Sequence, residues 1–177
     1  MTRAKKSEAA GYTHIVHPIP PLYNQESKIL ILGSLPSVKS REGMFFYHHP
    51  QNRFWKMIAA VTESEVPRTI EEKKALILRH GFAMWDVIHE CDIIGSSDAS
   101  IRNAVPNDIS RILNEAPIEK IIANGEKSYR MYEKYCYPLT GIHAVRCPST
   151  SPANAATAFD ELVKIWKCAM TESENGD

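Results

Sequence analysis

An α/β fold built on a mostly parallel sheet is predicted by three features of the chain. The run Ile29-Leu30-Ile31-Leu32 is continuously apolar and breaks at Gly33, as a strand buried on both faces does. Further short β-rich runs alternate with stretches of helical spacing, the pattern that places helices over both faces of a sheet. At 177 residues the chain suits one well-buried domain and is short for two.

The elements are expected in the following order. Residues 1–27 read as a polar tail followed by an extended entry segment, because the prolines of His17-Pro18-Ile19-Pro20-Pro21 exclude helix. The domain proper is expected over 28–171, with a first strand at about 28–33. Gln51 or Asn52 suits the N-cap of a helix reaching Val61. Thr69 caps a helix to His80 with Glu71 and Glu72 in its first turn, and Gly81 ends it. A second strand is expected over 82–86 and a helix from Asn107-Asp108 to Glu115. The third strand falls at 118–123, followed by a helix over 126–135 that stops before Pro138. The fourth strand lies near 143–147. Asn154 is the expected cap of a last amphipathic helix carrying Ala158, Leu162, Ile165 and Trp166, and residues 172–177 read as a frayed tail.

Composition narrows the function. Acidic and basic residues number 21 each, so any nucleic-acid contact must be local rather than a product of net charge. Cys91, Cys136, Cys147 and Cys168 are widely spaced with no CxxC pair, which argues against a zinc or iron–sulfur site and for reduced thiols. No apolar run approaches the roughly 20 residues of a membrane helix. A cytoplasmic, membrane-free monomer is the expectation.

The richest segment is Tyr47-His48-His49-Pro50-Gln51-Asn52-Arg53-Phe54-Trp55, close behind Gly33-Ser34-Leu35-Pro36-Ser37 at the carboxyl end of the first strand. That end is where open α/β sheets place their ligands. An aromatic face, an amide and a cation are a suitable inventory for holding an unstacked base beside a phosphate backbone. The glycine loop has neither GxxxxGK[ST] nor GxSxG, so nucleotide hydrolysis and serine esterase chemistry are disfavoured.

Five segments in order, the two just quoted with Trp85-Asp86-Val87-Ile88, Gly95-Ser96-Ser97-Asp98-Ala99-Ser100-Ile101 and Pro148-Ser149-Thr150-Ser151-Pro152-Ala153-Asn154, resemble the uracil-DNA glycosylase superfamily over roughly 28–166. The similarity is greatest to the DNA-deoxyinosine (hypoxanthine-DNA) branch. The resemblance implies a three-layer α/β/α sandwich on a four-stranded parallel sheet of order 2-1-3-4, no cofactor and no metal. It also implies hydrolysis of the N-glycosidic bond of deaminated bases in DNA, chiefly hypoxanthine, after base flipping. Mismatch-specific relatives carry a water-orienting Asn between the Gly and the Pro of the first motif, where this chain has Leu35. An alkyl group cannot hold water, and the deoxyinosine branch points instead to Asn52 as the catalytic group.

By the same resemblance Tyr47 stacks on the target base; Gly33, Ser34, Leu35 and Pro36 are candidate base contacts, and His48, left free as His49-Pro50 sets the backbone, can reach the base or a phosphate. Backbone amides at Ser34 and Leu35 are candidate donors to the departing purine anion. Ser37, Arg53, Ser149, Thr150 and Ser151 are the candidate phosphate contacts, with Asp86, Ser97 and Asp98 as accessory groups. Each has a structural alternative: Asn52 as a helix cap, Tyr47 as core beside Phe45, Phe46, Phe54 and Trp55, the serine loop and Asp98 as caps or Asx turns, and Asp86 as a strand-end turn residue. A non-catalytic DNA- or nucleotide-binding module on the same scaffold is the competing reading, with Leu35 as its strongest support.

Overall fold

The computed structural model describes residues 11–95 and 97–171. The tails 1–10 and 172–177, Ser96 and the side chain of Asp98 lie outside the described residues. In chain order the elements are β1 (Thr13–Val16), β2 (Ile29–Gly33), α1 (Val38–Gly43), α2 (Phe54–Val61), α3 (Ile70–Arg79), β3 (Phe82–Asp86), β4 (Ile88–Ile94) and β5 (Ser97–Pro106). There follow α4 (Ile109–Glu115), β6 (Lys120–Asn124), α5 (Glu126–Met131), a π-helical turn (Tyr132–Cys136), α6 (Tyr137–Thr140), β7 (Ala144–Cys147) and α7 (Phe159–Thr171).

The main sheet is parallel and ordered β3-β2-β6-β7, the 2-1-3-4 order implied by the resemblance. Its central strand is the apolar run of the sequence: Leu30, Ile31 and Leu32 are wholly buried, as helices cover the sheet. Packing fixes the neighbours. Phe54, Met57 and Ile58 of α2 and Leu162 and Trp166 of α7 are buried in the same core. The α3 boundaries come from local chemistry, a capping box between Thr69 and Glu72 at the start and Gly81 at φ 73° just past the end.

Four features depart from the sequence reading. A second sheet, ordered β1-β4-β5 and antiparallel, occupies 13–16 and 88–106. Its strands carry register shifts, so the alternation that would mark them in the sequence is interrupted. Strand β1 ties part of the expected tail into the fold, and Ile15 and Ile19 are buried. The helix at 126–135 does not stop before Pro138 but continues through the π turn into α6. Pro138 falls at the start of α6, directly after the π turn that changes the helical register. Helix α7 begins at Phe159 and not at Asn154, whose amide instead donates to the Ser149 carbonyl at 2.9 Å and to Thr157 Oγ1 at 3.3 Å. Among the described residues no helix is long and apolar enough to cross a membrane.

Candidate active site

Strands β2, β3 and β6 end at Gly33, Asp86 and Asn124, and the chain after β7 runs into Ser149, Thr150 and Ser151. Because the four strands are parallel, their carboxyl ends meet around one cavity of about 620 Å³, lined by these residues together with Ser34, Leu35, Pro36, Ser37, Arg41, Tyr47, His49 and Asn52.

Asp86 and Gly33 stand together at the strand ends. Asp86 is 3% exposed, and its Oδ2 accepts from His17 Nε2 at 2.7 Å. His17 Nδ1 in turn accepts the Ile19 N–H at 3.2 Å, so the ring proton sits on Nε2 and is donated to the carboxylate. The second carboxylate oxygen, Oδ1, has no hydrogen-bond partner among the described residues. Gly33 makes room for it, since a Cβ there would stand 2.2 Å from Oδ1 and 3.2 Å from the Tyr47 hydroxyl oxygen. His17 was not singled out in the sequence, where 69 residues separate it from Asp86.

Tyr47 takes a left-handed backbone, φ 51°, and stacks on Phe54 with ring centroids 4.3 Å apart. This non-glycine strain turns the ring into the cavity wall. Its hydroxyl is buried and meets no partner at hydrogen-bonding geometry. Burial and then the Asp86 charge push the phenol far above its usual range, against a smaller opposing influence from Asn124. Deleting only that hydroxyl therefore costs little: Tyr47→Phe is expected to keep thermal stability and base capture close to wild type. Tyr47→Ala is expected to weaken productive capture by roughly 1–3 kcal/mol, as loss of a stacking platform does. Equal excision efficiency in the Ala variant would remove Tyr47 from the substrate contact.

Asn52 sits at the end of a side-chain relay. Asn124 Nδ2 donates to Thr150 Oγ1 at 3.0 Å, Thr150 Oγ1 donates to Asn52 Oδ1 at 2.8 Å, and the same Oδ1 accepts the Phe54 N–H at 2.9 Å. Asn52 is thus neither a bare cap nor a free amide. Its carbonyl oxygen holds the first turn of α2 from one residue outside the N-cap position, which Arg53 occupies without a side-chain bond. Both lone pairs of Oδ1 are engaged, which leaves the NH₂ donors as the part of Asn52 with no protein partner among the described residues.

Three expected phosphate contacts have other employment. Arg53 gives its guanidinium to the Thr157 carbonyl at 2.7 Å and the Asn154 carbonyl at 2.8 Å, clamping the loop before α7. Thr150 is wholly buried with its hydroxyl bonded on both sides. Ser37 caps α1 by accepting from Ser40 N at 3.1 Å. Arg53→Ala is accordingly expected to cost about 2 kcal/mol of stability, near the value of a charged hydrogen bond, and to leave the salt dependence of DNA binding unchanged. Thermal unfolding and a salt titration of binding check both halves.

Ser149 and Ser151 do line the cavity, and each oxygen accepts a loop N–H, from Ser151 and Ala153 respectively. Their hydroxyl protons remain available to an outside oxygen. His48 is exposed and does not line the cavity; its ring covers Gly43, where a Cβ would stand 2.6 Å from Cδ2. Its neighbour His49 lines the wall in its place. Ser97 is exposed in β5 and outside the lining, which the hairpin reaches through Ile93 and Gly95 instead. Glu126 also lines the cavity, but its carboxyl is engaged by Arg146, and then Arg130, which hold it below the usual carboxylate range. No cluster of three His, Cys, Asp or Glu side chains among the described residues is arranged to hold a metal ion.

Comparison with known proteins agrees with this fold. The model of the uracil DNA glycosylase superfamily matches residues 20–169. A Hypoxanthine DNA glycosylase of Methanosarcina acetivorans is 32% identical over 137 residues, 76% of this chain and 85% of that protein. A Hypoxanthine DNA glycosylase of Methanosarcina barkeri is 29% identical over 111 residues, 62% of this chain and 70% of that protein. The solution NMR structure of a Methanosarcina acetivorans protein, described as a candidate uracil DNA glycosylase, superposes with a TM-score of 0.75 at 26% identity, covering 88% of this chain and 97% of the other.

Proposed function

We propose, for a chain that belongs to the uracil DNA glycosylase superfamily, that it removes hypoxanthine from deoxyinosine in DNA by hydrolysing the N-glycosidic bond. The observation that carries this reading is the state of Asn52, an amide locked at its oxygen by Thr150 and Phe54 with its donors unspent beside the cavity.

The flipped purine stacks on Tyr47 and enters toward the strand ends, where Asp86 Oδ1 is an acceptor without a partner. That acceptor suits a deaminated purine. Adenine presents a lone pair at N1, whereas hypoxanthine presents an N1–H, so a fixed acceptor favours the lesion over its parent. The sugar remains nearer the mouth, with Ser149 and Ser151 donating to its phosphates.

Departure of the base carries the C1′–N9 electron pair onto the purine and leaves positive charge on the sugar. The demand on the protein is to aim water more than to ionise it. An N–H of Asn52 takes one lone pair of that water, leaving the other to bond C1′, and the proton that the water gives up neutralises the departed purine anion. Because the Asn52 oxygen is held from two sides, the donor's direction is fixed before substrate arrives, which is the arrangement that shortens a search for reactive geometry. On this reading the protein acts as a monomer in the cytoplasm.

Duplexes with a single hypoxanthine, uracil or xanthine test the reading: incubation followed by alkali cuts the strand wherever a base has been removed. Strand cutting at hypoxanthine, and none at adenine in the same context, is the expected result. Duplexes that stay intact at all three lesions would end the proposal.

A further inference from the structure

We propose that Arg41 supplies the cationic contact to the phosphate beside the flipped nucleotide, a role that the sequence pattern pointed to Arg53 for. This assignment rests on the glycosylase reading above. Arg41 lines the cavity from α1, and its Nε is buried with no hydrogen-bond partner among the described residues. That Nε is closed to solvent, so the outer N–H groups of the guanidinium are the part of Arg41 that can meet an anionic oxygen from the cavity, and their fork fits phosphate with two donors at once.

The alternatives near the cavity are already committed. Arg53 spends its guanidinium on the Thr157 and Asn154 carbonyls, Arg146 pairs with Glu126, and Lys127 also has a partner. A chain with no net charge must nevertheless draw a polyanion to this one place. Arg41 is positioned to do so by the surrounding backbone. Its N–H donates to the Ser37 carbonyl at 3.0 Å, and its own carbonyl receives the N–H of Met44, whose left-handed conformation ends α1. Ser40, the residue before it, is buried and accepts the His48 N–H at 3.0 Å. The same short scaffold therefore places Arg41 and Tyr47, so that a phosphate held by one lets its base reach the other.

Binding to a duplex carrying a tetrahydrofuran abasic analogue isolates phosphate contacts from base contacts. Fluorescence anisotropy of the full chain across about 50–200 mM salt gives the slope of log affinity against log salt. Arg41→Gln is expected to reduce that slope by about one relative to wild type, the signature of one lost phosphate contact, whereas Arg41→Lys keeps it. The lysine variant separates loss of charge from loss of fold. An unchanged slope in Arg41→Gln, with a wild type that still excises hypoxanthine, overturns the assignment and leaves the glycosylase reading standing. The same holds for a variant whose slope is unchanged but whose preference among bases is altered, since Arg41 would then touch the base. A wild type that removes no hypoxanthine overturns both.

Discussion

Asn52→Asp is expected to stay folded and to lose at least about 100-fold in the single-turnover excision of hypoxanthine. Aspartate keeps an oxygen for the Phe54 N–H and the Thr150 hydroxyl, the two bonds that Asn52 Oδ1 accepts at 2.9 and 2.8 Å. Its charge also suits a helix N-terminus, so stability should move by no more than about 1 kcal/mol. What it loses is the NH₂ donor, and it gains a negative charge close to phosphates. Asn52→Ala loses the acceptor as well, leaving the buried Thr150 hydroxyl and the α2 N-terminus short of a partner, and should unfold more easily by roughly 1–3 kcal/mol. Rates and thermal unfolding measured on both variants separate the roles. Normal cleavage by the Asp variant would reduce Asn52 to a structural amide.

Gly33→Ala is expected to have an effect of similar size by a different route. Its Cβ would stand 2.2 Å from Asp86 Oδ1. The carboxylate cannot swing aside freely, because Oδ2 is bonded to His17 inside the protein and both side chains are almost fully buried. Relief must come from breaking that pair or from displacing the end of β2, at a cost of roughly 2–4 kcal/mol of stability. Either movement also misplaces the acceptor at the cavity and the Tyr47 hydroxyl 3.2 Å from the new carbon. Excision should fall at least about 100-fold at temperatures where the variant remains folded. A variant with wild-type stability and rate would contradict the close packing of Gly33, Asp86 and Tyr47.

Those three residues also show how far the sequence could be read. The parallel strands were legible because burial on both faces demands unbroken apolar runs, as at Leu30, Ile31 and Leu32. Caps with a local rule were legible too, as at Thr69 and Gly81. The β1-β4-β5 sheet was not, because its shifted register blurs alternation and its pairing joins residues near 13 to residues near 93. Asn52, Tyr47, Asp86 and the serine loop were legible as a set through the motifs. Their partners were not: His17 meets Asp86, and Arg53 meets Asn154 and Thr157, across long sequence separations with no local pattern to announce them. Arg41 stood in a short polar segment with no local signal, and its unpaired Nε in the folded chain is what sets it apart from the paired cations near the cavity.

On the proposed reading this cavity releases an intact deaminated base. Mass spectrometry of the small molecules freed in a single turnover, with enzyme in excess over a duplex containing one deoxyinosine, tests it most directly. Free hypoxanthine is expected to approach one equivalent per duplex, matched by an alkali-labile site on the same strand, with no adenine released from the duplex that carries deoxyadenosine instead. Binding of the deoxyinosine duplex with no free base and no alkali-labile site would contradict it and identify a DNA-binding module that has kept the glycosylase scaffold without its chemistry.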